Sequence, residues 1–111
     1  MSDALRGTDW TKSEVRLCVA GYLDLFEKQN AKEPFVKAQV YRDLAQQTGR
    51  TASSIEFKFQ NISAVLNEMG LDWLTGLAPL PHFQRLLAET INENEVRVRA
   101  LGTISDAKGL E

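Results

Sequence analysis

The sequence predicts an all-α fold: a compact tri-helical core, helix-turn-helix-like, with an additional helix toward the C-terminus. Three observations carry this expectation. Apolar residues recur at intervals of three and four in four separate stretches. Two of those stretches open with the Ser/Thr-x-x-Glu spacing of a capping box, and Pro34, Gly49, Gly70, Gly76, Pro79 and Pro81 punctuate the chain between them.

The bulk properties fit one globular domain. In 111 residues, 43% are hydrophobic and 25% charged, enough to bury a modest core. Thirteen Lys and Arg stand against fifteen Asp and Glu, so the whole-chain field exerts no pull toward nucleic acid or anionic lipid. Any such binding is local. The single cysteine, Cys18, forms no internal disulfide, and with only His82 as company it builds no metal cluster, so a reducing cytoplasm is expected. The N-terminal "MSDALRGTDW" lacks the apolar core of a signal peptide, and no run approaches the roughly 20 apolar residues that span a bilayer. No membrane association, metal or cofactor is expected.

The first helix is expected from Lys12 to about Lys28. Thr11 and Glu14 have capping-box spacing, Trp10 and Val15 that of a hydrophobic staple, and Val15, Cys18, Val19, Tyr22, Leu25 and Phe26 form one apolar face. Gly21 lies inside this helix at a cost of about 1 kcal/mol relative to Ala, which points to a second helix crossing closely there. Cys18 falls on the apolar stripe and reads as a core thiol. Pro34 then interrupts the pattern. "FVKAQVYRDLAQQTG" resumes it for about three turns, with Val36, Val40, Tyr41 and Leu44 on one side and Gly49 suited to a left-handed C-cap.

The third stretch, "GRTASSIEFKFQNISAVLNEMG", carries the candidate site. Ser53 and Glu56 repeat the capping-box spacing and place the first turn at Ser54 to Glu56. Ile55, Phe59, Ile62, Leu66 and Met69 form the packed stripe, and Gly70 with Leu71 suits a Schellman cap. Ser54, Lys58, Asn61 and Val65 lie beside that stripe, with Glu56, Gln60, Ser63 and Asn67 further round. If this helix meets DNA, Arg50 and Lys58 suit phosphates, Ser53 and Ser54 sit at a helix N-terminus where phosphate oxygens bind, and Asn61 suits an adenine edge. The alternative for the same residues is structural: Asn61 bonding a neighbouring loop backbone, Lys58 pairing with an acid. Only two basic residues in this stretch limit counterion release.

Beyond it, Trp73, Leu74 and Leu77 are too apolar for water, so their loop is expected to fold back over the core. A fourth helix is expected over "HFQRLLAETI", with Phe83, Leu86, Leu87 and Ile91 on its apolar face and His82 solvated or capping at its start. Residues 8–92 thus form the expected single domain and 93–111 a C-terminal tail or linker, where Val96, Val98 and Leu101 suit either a short strand or a helical tail. No Gly-rich phosphate loop, HExxH or GxSxG occurs, so catalysis is not expected.

"W-T-x-x-E-V" at Trp10 to Val15, followed by "GRTASSIEFKFQNISAVL" and "PHFQRLL", resembles the N-terminal head domain of McrA-like, modification-dependent HNH restriction endonucleases and related multidomain proteins. The resemblance covers roughly residues 8 to 88. It implies a non-catalytic module that assists DNA recognition or assembly while cleavage resides in a separate HNH domain. Arg50, Ser54, Glu56, Lys58, Asn61 and Ser63 match the family pattern, whereas its "GYKP" turn reads Gly76-Leu77-Ala78-Pro79 here, without the aromatic and the lysine. Expected partners are DNA, with Arg50, Ser53, Ser54, Lys58 and Asn61 as contacts, and an HNH nuclease domain or other effector protein. The competing expectation is a protein-interaction or dimerisation adaptor using apolar surface around Phe57, Trp73 and Leu77, with a homo-oligomer as one form of it.

Overall fold

At the start of the first helix, the Glu14 N–H donates to Thr11 Oγ1 at 3.2 Å and Glu14 Oε1 accepts the Thr11 N–H at 3.0 Å, closing a capping box. A computed structural model describes residues 9–109, with side chains through residue 103. Among these residues it contains five helices and no strand: α1 (Lys12–Asn30), α2 (Lys37–Thr48), α3 (Ala52–Glu68), α4 (Arg85–Asn92) and α5 (Glu95–Gly109). The fold is all-α.

Helix α1 buries Val15, Cys18, Val19, Tyr22, Leu23, Leu25 and Phe26, each aliphatic or aromatic side chain adding about 1.5–3 kcal/mol by leaving water. A Cβ on Gly21 would lie 3.1 Å from Leu44 Cδ1 and 3.6 Å from Val40 Cγ1, so α2 crosses α1 at the glycine. Helix α2 ends on Gly49, whose φ of 77° lets its N–H reach the Ala45 carbonyl at 2.8 Å. Val36 does not join the α2 stripe. It occupies the N-cap in extended conformation, before helical periodicity begins, and is 64% exposed.

Helix α3 starts two residues earlier than the Ser53/Glu56 spacing suggests. Thr51 is the N-cap, its Oγ1 accepting the Ser54 N–H at 3.1 Å, and the added residues extend a helix already nucleated. Ile55, Phe59, Ile62 and Leu66 are buried between α1 and α2. Phe59 meets Tyr22 and Tyr41 edge-on at 5.5 and 5.3 Å between ring centroids. At the far end the Leu71 N–H bonds Leu66 O at 2.9 Å and the Gly70 N–H bonds Asn67 O at 3.0 Å, the two bonds of a Schellman motif.

The chain then returns across the helices, burying Leu71, Leu74 and Leu77. Tyr22 anchors it: its hydroxyl oxygen accepts the Leu74 N–H at 2.9 Å and shares a second hydrogen bond with Ser63 Oγ at 2.8 Å. This loop covers Ser63, which spacing alone puts on the outer face and which has no exposed surface. Helix α4 begins at Arg85 rather than His82, because His82 adopts a left-handed φ of 68° that a right-handed helix cannot continue. Leu87 and Ile91 carry its buried face.

Residues 93–111, expected as a tail or linker, instead carry α5, and Val98 and Leu101 belong to the core. Of the two expectations for that stretch, the helix is the one formed. Arg97 reaches Asp24 at 2.8 Å and Glu27 at 3.3 Å, and Asn30 Nδ2 donates to the Leu101 carbonyl at 3.1 Å, binding α5 to α1. A Cβ on Gly102 would stand 2.7 Å from Leu71 Cβ, so the helix lies directly on the returning loop.

Gly102→Ala is therefore expected to lower stability in urea by about 1–3 kcal/mol through overpacking, although alanine's intrinsic helix preference works about 1 kcal/mol the other way. Tyr41 presents the opposite case: it is 8% exposed and its hydroxyl has no hydrogen-bond partner among the described residues. Tyr41→Phe is expected to raise the unfolding free energy by about 1 kcal/mol, measured in the same urea titration.

Candidate functional site

The turn between α2 and α3 consists of Gly49, Arg50 and Thr51, and it brings Arg50 back against the start of α1. Arg50 Nε and Nη2 donate to Glu14 Oε1 at 3.2 and 3.0 Å, and Nη2 donates to the Asp9 carbonyl at 2.7 Å. The guanidinium carbon stands 4.0 Å from the centre of the Trp10 ring. Arg50 is thus a buried clamp rather than an outward arm, its side chain only 3% exposed. Burial pushes the Glu14 carboxyl up, but the Thr11 N–H and the Arg50 guanidinium more than offset it, leaving it below its ordinary range.

Lys58 lies nearly two turns along α3 from its start at Ala52. Its Nζ stands 4.5 Å from the centre of the same Trp10 ring, and the residue is 5% exposed. No carboxylate or other acceptor among the described residues takes a hydrogen bond from it. Desolvation lowers its pKa from the ordinary lysine value, as does the neighbouring Arg50 charge. Asn61 turns inward as well: Nδ2 donates to the Leu80 carbonyl, while the Leu80 N–H donates to the Gln60 carbonyl at 3.1 Å. These two bonds fasten the Leu80 segment alongside α3.

Trp10, the first turns of α3 and the fastened loop enclose an open groove of about 430 Å³, lined by Trp10, Ser53, Ser54, Phe57, Lys58, Asn61, His82 and Gln84. Four of the five residues expected at a DNA contact meet here. Arg50, the fifth, does not line the groove and instead packs on the Trp10 ring. Ser53 is exposed and Ser54 half-buried with its N–H on Thr51. Sequence reasoning missed Trp10 as a ring shared by two cations and missed His82, Gln84 and Phe57 as walls, since no spacing links residues 10, 57 and 82–84. Of the apolar surplus expected around Phe57, Trp73 and Leu77, Leu77 is buried and Trp73 packs against the core, leaving Phe57 exposed at 55%.

Cys18, fully buried in α1, has its thiol pushed up to about 12 by burial and carries no nucleophile here. Among the described residues no group of His, Cys, Asp and Glu is placed to hold a metal ion, and no helix is long and apolar enough to cross a membrane. Neither the protein-family models, nor the curated proteins, nor the solved structures contain a match to this chain.

The two cations on Trp10 differ in what their removal does. Arg50→Ala is expected to cost about 2–3 kcal/mol, because it leaves Glu14 with the Thr11 N–H alone and removes the side-chain donor of the Asp9 carbonyl. Lys58→Met is expected to stabilise the domain by about 1 kcal/mol at neutral pH by removing an unpaired buried charge. Since the Lys58 pKa is lowered in the folded state, the unfolded chain binds more protons above that folded value. Wild-type stability therefore rises with pH toward the ordinary lysine range and the advantage of Lys58→Met shrinks; thermal unfolding at neutral and alkaline pH reads both effects.

Proposed function

We propose that this domain is a non-catalytic, cytoplasmic DNA-binding or recognition head module that serves a nuclease of the HNH restriction type or a comparable effector. The observation that supports this reading is Lys58, a buried cation without an ion pair, opening on a groove beside the N-terminus of α3. A protein that needed only a core would gain by an apolar residue there. An anion arriving in the groove supplies the missing partner, and the α3 N-terminus favours the same charge.

The contacts proposed are Lys58, Ser53 and Ser54. Arg50 acts by holding Trp10 and α1 in place, and Asn61 by fastening the groove wall. Most of α3 from Lys58 to Leu66 is enclosed by neighbours, so the part of this helix proposed to meet DNA is its first turns rather than its length. The adaptor reading draws support from Phe57, exposed on α3 at the groove rim.

Binding to labelled duplex DNA, unmodified and methylated, at low and moderate salt tests the proposal. The expected result is salt-weakened binding, with Lys58→Met reducing affinity about tenfold and the salt slope by about one. Absence of binding at low salt, together with a dimer mass in solution, is the result that favours the adaptor.

A further inference from the structure

The groove is far larger than a single tetrahedral oxyanion, and its lining is chemically mixed. Lining it are Lys58 and the first turn of α3, where Thr51 satisfies the Ser54 N–H and the helix pattern leaves those of Ala52 and Ser53 without acceptors. At the rim stands Phe57, a ring more than half exposed, on the same helix one residue before the lysine. A ring kept in water beside an unpaired buried cation is the pairing that single-stranded nucleic acids use, with phosphate on the charge and base on the aromatic face.

We infer that the groove seats one unpaired nucleotide, its phosphate on Lys58 and the α3 N-terminus and its base against Phe57. This rests on the reading of the groove as a DNA contact and specifies what enters it. A base inside a duplex is stacked on both faces and cannot lie on Phe57, so single-stranded DNA is the preferred ligand. Trp10 is not the stacking ring, because Arg50 and Lys58 already lie over it. Gln84 and His82 on the opposite wall supply polar groups for a base edge.

Calorimetric titration of the 111-residue chain with thymidine 5′-monophosphate, thymidine, inorganic phosphate, an oligothymidylate and a blunt duplex tests the inference. The expected result is binding of the monophosphate, with thymidine and phosphate each weaker by about tenfold or more and the oligothymidylate preferred over the duplex. Lys58→Met should weaken the monophosphate by about tenfold or more, and Phe57→Ala by about fivefold or more. Phe57 lies on the surface, so its variant folds even if the lysine variant does not. Phosphate binding as tightly as the monophosphate, or Phe57→Ala without effect, overturns the inference. Duplex binding without nucleotide or oligothymidylate binding overturns it while leaving the DNA reading intact. Failure of every nucleic-acid ligand removes both.

Discussion

The Arg50–Glu14 pair is the interaction on which the site depends. One carboxylate closes the cap of α1 and receives the guanidinium from the turn before α3, so the start of the first helix and the start of the third are fixed to a common point. Trp10 is positioned by the same cluster, and with it the wall of the groove. Lysine in place of Arg50 would lose the planar fork that spans Glu14, the Asp9 carbonyl and the indole together. An ion pair of this kind contributes less to net stability than to a unique geometry, because both charges were solvated before folding.

Around that point the helices divide their tasks. Helix α1 supplies the largest share of the core and α3 packs against it, with Tyr22 linking the returning loop to Ser63 through hydrogen bonds. The cost of burying three polar groups is met by mutual bonding. Lys58 differs: with the Trp10 ring beside it but no ion-pair or hydrogen-bond partner among the described residues, it is set apart from Arg50 and Asn61, which bond within the fold. Residues with the same polar appearance in sequence thus fall into two kinds: those whose hydrogen-bonding groups the protein meets, such as Arg50 and Asn61, and those it leaves unmet among the described residues, such as Lys58 and Tyr41.

Much of the fold was legible in the sequence. The Thr11 and Glu14 spacing, Gly21 at the helix crossing, Gly49 as a left-handed cap and the Leu66–Leu71 closure all follow from local rules that need no tertiary information. Helix α5 was not, since only Val98 and Leu101 of its described residues reach the core while Val96 is exposed at 87%, too weak a pattern to mark a packed face. The inward turn of Ser63 was also hidden, because it depends on where a loop far along the chain comes to rest, whereas for Asn61 the expected alternative of a bond to a neighbouring loop backbone is the one formed. For the candidate site, spacing located four lining residues on α3 but could not indicate whether each faced water or a neighbour. Trp10 and the His82–Gln84 wall became neighbours of that helix only through the fold.

The Leu80 segment carries a consequence for how the groove works. It is a loop in sequence, yet its peptide is held on both sides, N–H to Gln60 and carbonyl to Asn61, as a sheet edge would be. The opposite wall rests on Arg50 and a cap. Neither wall has to order itself when something enters, so little conformational entropy is lost there and selectivity comes from fit to a shape that already exists.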